Sequence, residues 1–273
     1  LLATYWCIGL VIALVAYLIW LARQSDYGAW ETVLYIPTYL MGRLLWRVHF
    51  LNEPPPEIAT GGILVANHRS SVDPFFVQLA ARRRVHWMVA KEYCQHVIFG
   101  KILRPFEVIP TNRSGVDTAS TKQAIRLAKA GRLVGMFPEG QLNKTPNPLC
   151  PIRSGAALVA TRGNVPLIPL YIKGSPYDRT VWSPVFMSAN VAITFGTAIH
   201  PKDANEFSPG ESACEDPKVI EADGKPGRHQ NSAGDLQQSE QLIIAWAKQV
   251  VAMAGRPDFP VKLATKRTRR KTR

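Results

Sequence analysis

Asn67-His68-Arg69-Ser70-Ser71-Val72-Asp73 is the stretch around which the rest of the chain is arranged. Before it runs Gly62-Ile63-Leu64-Val65-Ala66, short, apolar and rich in β-formers, which predicts a buried strand. After it come Pro74, Phe75, Phe76, Val77, Leu79 and Ala80, and their pattern predicts a helix over 74–82. Asp73 followed by Pro74 reads as an N-cap with proline at the first helical position. His68 therefore leaves a strand and Asp73 opens a helix. On one regular helix, side chains five residues apart would point about 140° apart. On a turn between strand and helix they can meet. A carboxylate against an imidazole fixes its tautomer and raises its basicity. The plainer alternative is a polar turn in which Asp73 is only a cap.

A second block, Gly135-Met136-Phe137-Pro138-Glu139-Gly140, closes another apolar strand over 132–137. Together the two blocks resemble the glycerolipid acyltransferase family, the lysophosphatidate acyltransferases and their relatives, which carries N-H-x4-D and F-P-E-G. Two weaker blocks follow the same order: Val108-Ile109-Pro110-Thr111-Asn112-Arg113 and Val165-Pro166-Leu167-Ile168-Pro169-Leu170. Lys91-Glu92, after the strand predicted at 85–90, is also similar to the family. The resemblance implies His68 and Asp73 as the catalytic pair. It implies Asn67, Lys91, Arg113, Phe137, Pro138, Glu139 and Gly140 as substrate-binding residues, and Arg153 joins them as a candidate from its place in the sequence just after that block. Glu139 would help position the acceptor, or else bond backbone amides in a tight Pro-Glu-Gly turn. The family pattern continues F-P-E-G-T-R-S, whereas here Gln141-Leu142-Asn143 follows, so Leu142 stands where an arginine is usual. Lys144 and Arg153 are the nearby cations that could take over a phosphate contact, Arg bidentately and Lys as a point charge.

With 273 residues the chain holds one large domain or two small ones and can bury a sizeable core. Its formal charge is +13, from 33 Lys and Arg against 20 Asp and Glu. A basic surface attracts polyanions such as anionic lipid or phosphorylated substrates. No nucleic-acid-binding motif accompanies that charge, so no nucleic-acid partner is expected. Cys7, Cys94, Cys150 and Cys214 are scattered, without metal-ligand spacing, and read as free thiols. No metal site is expected.

Residues 1 to 22 carry no charge and are almost wholly apolar, which predicts a membrane-embedded helix that spans or enters one leaflet. Trp6, Tyr17 and Trp20 lie towards its ends, as aromatic anchors do. Arg23, Arg43 and Arg47 follow, so the positive-inside rule places the remainder on the cytoplasmic face. A second helix over 31–50 carries Leu40, Met41, Leu44, Leu45 and Val48 as a stripe, for the core or for a membrane interface. Pro54-Pro55-Pro56 stiffens a linker before the acyltransferase domain expected over 57–260.

Within that domain strands at 62–66, 85–90, 106–109, 132–137, 165–172 and 191–196 alternate with helices at 74–82, 92–102, 116–130 and 154–163. Alternation of this kind predicts an α/β fold with a largely parallel sheet flanked by helices. Residues 203–238 hold eight acidic and three basic residues among many Ser, Gly, Pro, Asn and Gln, and read as a flexible insertion. A helix over 239–254 follows, with Leu242, Ile243, Trp246, Val250 and Met253 on one stripe. The tail from 261 is basic, with seven Lys and Arg between Lys262 and Arg273. It is either a solvated tail or a contact to anionic lipid.

Acyl transfer to an alcohol needs a base, and His68 with Asp73 supplies one without a serine nucleophile. No G-x-S-x-G elbow is present, against a serine hydrolase. The expected enzyme moves a fatty acyl group from acyl-CoA or acyl carrier protein, as donor substrate, to a lysophospholipid hydroxyl at the membrane, with no cofactor. A relative acting on glycerol-3-phosphate or another alcohol, and an inactive membrane-surface binding protein, are the alternatives.

Overall fold

Gly62–Ala66 forms a strand buried at every position, as its unbroken run of small and apolar side chains demands. The computed structural model describes residues 2–24, 26–96, 100–101, 103–112, 118–177, 180, 182–203 and 229–264. In chain order the elements are α1 (Leu2–Gln24), α2 (Ala29–Leu44), β1 (His49–Phe50), α3 (Glu57–Thr60), β2 (Gly62–Ala66), α4 (Asp73–Ala81), β3 (Val85–Ala90) and α5 (Lys91–Gln95). Then come β4 (Ile109–Thr111), α6 (Thr118–Lys129), β5 (Leu133–Met136), α7 (Gly155–Gly163), β6 (Leu167–Lys173), α8 (Ser183–Phe186), β7 (Ala192–Phe195) and α9 (His229–Met253).

The strands make a seven-stranded sheet in the order β1-β7-β6-β2-β5-β3-β4. Every pairing is parallel except β6 with β7. Successive side chains of β2 face opposite layers, as the strand period of two requires. Ile63 and Val65 pack with Ala124 of α6, Ala157 and Ala160 of α7, and Ile243 and Trp246 of α9. Leu64 and Ala66 pack on the other side with Trp46 and with Phe76 and Val77 of α4. Trp246 is fully buried, and its indole N–H donates to Val65 O at 2.9 Å, so the last helix braces the central strand.

Several boundaries differ from the sequence expectation. β4 begins at Ile109 because Arg104–Phe106 form a 3-10 turn that ends on Glu107 in a left-handed conformation. The second helix stops at Leu44, since Arg47 has φ +43 and His49–Phe50 pair with β7. Its expected stripe divides accordingly. Leu40 and Leu44 are exposed, whereas Met41, Leu45 and Val48 pack inward. The region expected as an insertion is helical from His229 onward, and 204–228 lies outside the described residues. At the other end, Ile152 N–H donates to Lys262 O and Ala264 N–H to Ile152 O, so the chain stays tied to the domain through 264. The rest of the basic tail lies outside the described residues.

α1 forms where the apolar run predicted it, and its described side chains from Leu2 to Trp20 are exposed. Among the described residues, however, no helix is long and apolar enough to cross a membrane. The transmembrane expectation is corrected to that extent. α2 is fixed to the sheet by the Arg84 guanidinium, which pairs with Glu31 of α2 and, at 2.9 Å, with Glu107.

Candidate active site

Because β2, β3, β5 and β6 run parallel, their C-terminal ends share one edge of the sheet. Asn67 and His68 leave β2 at that edge, Lys91 leaves β3, Phe137 leaves β5 and Gly174 leaves β6. The carboxyl edge of an open parallel sheet is where such folds bind ligands, and the sequence blocks converge on it.

Asp73 is fully buried and is the first residue of α4 rather than its N-cap, which is Val72. Its carboxylate turns back along the chain. Oδ2 accepts the backbone N–H of Arg69 at 2.6 Å and of Ser70 at 2.7 Å, and lies 3.1 Å from His68 Nδ1. Oδ1 accepts the Ser175 hydroxyl at 2.6 Å. With Nδ1–H given to Asp73, Nε2 is the imidazole nitrogen that carries the lone pair. The His68 ring stacks on Phe137, centroids 4.0 Å apart, and Phe137 stacks on Trp87 at 5.0 Å. Those two rings fix the plane of the imidazole, and Asp73 fixes its rotation within that plane.

Glu139 is 2% exposed. Its Oε1 accepts the His68 backbone N–H at 2.8 Å, and its Oε2 accepts the Cys150 N–H at 2.7 Å. Burial holds this carboxyl above its usual range, against the opposing pull of those two amides. Burial and the charge of Glu139 also push the Cys150 thiol up. Asn143 N–H donates to His68 O at 2.6 Å, so His68 is held by both sides of the loop that follows β5.

Residues 47–173 match the family model described as Acyltransferase. Over that stretch, just under half of its length, the chain is similar to the acyltransferase family. The enzyme is 26% identical over 145 residues to a 1-acyl-sn-glycerol-3-phosphate acyltransferase of Bacillus subtilis, covering 53% of this chain and 69% of that protein. It is 31% identical over 181 residues to one of Streptococcus pneumoniae, covering 63% and 65%. The crystal structure of the 1-acyl-sn-glycerophosphate acyltransferase PlsC of Thermotoga maritima superposes with a TM-score of 0.50 at 17% identity, over 81% of this chain and 80% of that one. That last likeness shows a shared fold.

The structure brings His68, Asp73, Phe137 and Glu139 together, while other expected residues turn inward or lie at the rim. Asn67 is fully buried, and its side chain donates to Ile172 O at 3.0 Å and accepts from Ile172 N–H at 2.8 Å. It fastens the end of β2 to β6 from a position with no exposed surface. Glu139 takes the alternative foreseen for it, a carboxylate bonding backbone amides. Pro138 is buried and accepts Arg153 N–H at its carbonyl, 2.9 Å away. Gly140 has φ +65, a conformation glycine adopts without strain, and the Arg153 guanidinium lies 3.2 Å from where a Cβ there would stand. Arg153 thus lies across the F-P-E-G turn. Lys91 is exposed at the first residue of α5, and Lys144 is exposed in the loop after β5. Arg113 lies outside the described residues. Ser154 occupies the N-cap of α7, yet its side chain makes no capping bond. Among the described residues no group of three or more His, Cys, Asp and Glu side chains is placed to share a metal ion.

Three contributors have no signal in the sequence. Ser175 reaches Asp73 across 102 positions, and Trp87 backs Phe137 from a neighbouring strand. Arg69 donates to Thr145 O at 3.0 Å and Asn147 O at 3.1 Å, holding the loop that carries Leu142 and Lys144 beside the turn.

Proposed function

We propose that the enzyme acylates the free hydroxyl of lysophosphatidate, taking the acyl group from acyl-CoA or acyl carrier protein and yielding phosphatidate. One observation carries this reading: His68 Nδ1 is committed to the buried Asp73, which leaves Nε2 as base. The acceptor oxygen attacks the thioester carbonyl carbon while Nε2 takes the hydroxyl proton. The tetrahedral oxyanion then collapses, the carbon–sulfur bond breaks, and the leaving thiolate recovers the proton from the imidazolium. Base catalysis of this kind supplies about 10²–10⁴-fold. Asp73 holds the tautomer and stabilises the transient imidazolium.

The acceptor assignment is supported by the activity for which the two bacterial relatives are named and by the guanidinium of Arg153 across the F-P-E-G turn. An arginine there suits a phosphate monoester. Leu142 favours a second reading, in which the acceptor is another alcohol: without a cation at that position the pocket is less polar. The exposed apolar side chains of α1 support attachment to a membrane, and Arg23, Arg43 and Arg47 after it support a catalytic domain on the cytoplasmic face. Purified enzyme assayed against lysophosphatidate, glycerol-3-phosphate, neutral lysolipids and simple alcohols, with each donor type, tests the assignment. Preference for lysophosphatidate is expected, and preference for unphosphorylated acceptors would replace it with the second reading.

A further inference from the structure

We propose that Ser175 is a positioning residue of the catalytic pair, acting on His68 through the second oxygen of Asp73; this rests on His68 serving as the base. The four donors around the Asp73 carboxylate are divided unevenly. Oδ2 receives the Arg69 and Ser70 amides and faces His68 Nδ1. Among the described residues, the donor given to Oδ1 is the Ser175 hydroxyl alone, at 2.6 Å. The backbone after β6 is built to deliver it. Gly174 has φ +81, and a Cβ at that position would meet Asn190 O at 2.2 Å, so the turn requires glycine. That turn carries the chain off β6 and returns residue 175 to the start of α4. Asn67 locks the adjacent part of β6 to β2 through both backbone groups of Ile172. The origin of the Ser175 turn is therefore fixed relative to the strand that launches His68.

A hydroxyl donating to Oδ1 does two things. It prevents the carboxylate from rotating its Oδ2 away from His68, and it disperses part of the negative charge. Removing it leaves a fully buried oxygen without that donor, and the charge facing the imidazole grows. The imidazolium is then stabilised, so His68 stays protonated, and unable to act as base, to a higher pH. Among the described residues, the charged or titratable groups about this site include Glu139, whose carboxylate bonds the His68 amide, Cys150 on the far side of Glu139, Arg69 on the same turn, and Arg153 across the F-P-E-G turn. None of them is changed by a substitution at 175.

Ser175→Ala and Ser175→Thr in the full chain separate positioning from mere packing. Two readouts are needed. The first is acyl transfer as a function of pH. The second is modification of His68 by diethyl pyrocarbonate as a function of pH, followed by peptide mass, which needs no substrate. Ser175→Ala is expected to lower kcat about tenfold or more with KM nearly unchanged, and to displace both pH dependences upward. Ser175→Thr is expected to restore both, because it returns the hydroxyl. Unchanged pH dependences in Ser175→Ala, or failure of Ser175→Thr to restore them, would overturn the proposal. If the reagent profile moves as expected while the wild-type enzyme transfers no acyl group, the positioning role stands and the acyl-transfer reading falls.

Discussion

Glu139 and His68 are joined through the backbone: the His68 N–H donates to Glu139 Oε1 at 2.8 Å while the other oxygen takes Cys150 N–H. The F-P-E-G turn therefore acts on His68 by setting the chain that bears it. Glu139→Gln would turn its amide NH2 against one of those two donors, leaving a buried N–H unpaired. A loss of ~1–3 kcal/mol in stability is expected, with lower kcat and little change in KM. Chemical unfolding with steady-state kinetics checks this. Unchanged stability with a raised KM would return Glu139 to the acceptor site.

The same group predicts a pH dependence. Burial raises the Glu139 carboxyl above its ordinary value of 4.5, so the folded chain holds that proton more tightly than the unfolded one. Its contribution to stability is complete below the ordinary value and is lost as pH rises through the folded titration. Glutamine does not titrate. The stability advantage of wild type over Glu139→Gln should therefore be largest in acid and shrink as the pH rises, which thermal melts across that range would show.

Asn67→Ala is expected to act on the fold first. It leaves both backbone groups of Ile172 without their side-chain partner in a fully buried position. Each unsatisfied group costs ~1–3 kcal/mol, so a clearly lower melting temperature should accompany any loss of rate. Wild-type stability with a raised KM would show that Asn67 contacts substrate after all.

These first predictions mark how far the sequence is legible. The apolar run Gly62–Ala66 and the helix pattern after Pro74 announce a strand-turn-helix, and in that setting a histidine and an aspartate five apart can meet. What periodicity cannot reveal is a contact between remote segments. Ser175 lies on the turn after β6, and nothing local to Gly174-Ser175 points at Asp73. Asn67 reads as a ligand-facing polar residue until β6 is seen beside it. The antiparallel β7 escapes because a short strand shows no direction in its composition. The start of α9 at His229 escapes because its first turns are polar in sequence, and the apolar stripe that faces the core begins at Leu242.

Arg153 is expected to govern affinity for a phosphorylated acceptor. Its guanidinium lies against Gly140, beside the position that Leu142 leaves without a cation. Losing a charge-assisted bond costs ~1.5–3 kcal/mol, which raises KM for lysophosphatidate roughly ten- to hundredfold in Arg153→Ala. KM for a neutral lysolipid should barely move. Equal effects on both acceptors would assign Arg153 to the structure of the turn.

α1 is expected to attach the enzyme without taking part in the chemistry. A chain starting at Gln24 should release more readily from anionic phospholipid vesicles in flotation, with some binding left to the exposed Leu40 and Leu44 of α2. It should keep its rate on soluble short-chain substrates. A folded but inactive shortened chain would place α1 in the active site.

The central claim is that His68, held by Asp73, is the base of acyl transfer. Steady-state acyl transfer by His68→Ala, with thermal melts matched to wild type, tests it most directly. The account predicts a fall in kcat of about 10²–10⁴-fold with the fold retained. A folded His68→Ala enzyme that turns over near the wild-type rate would contradict it.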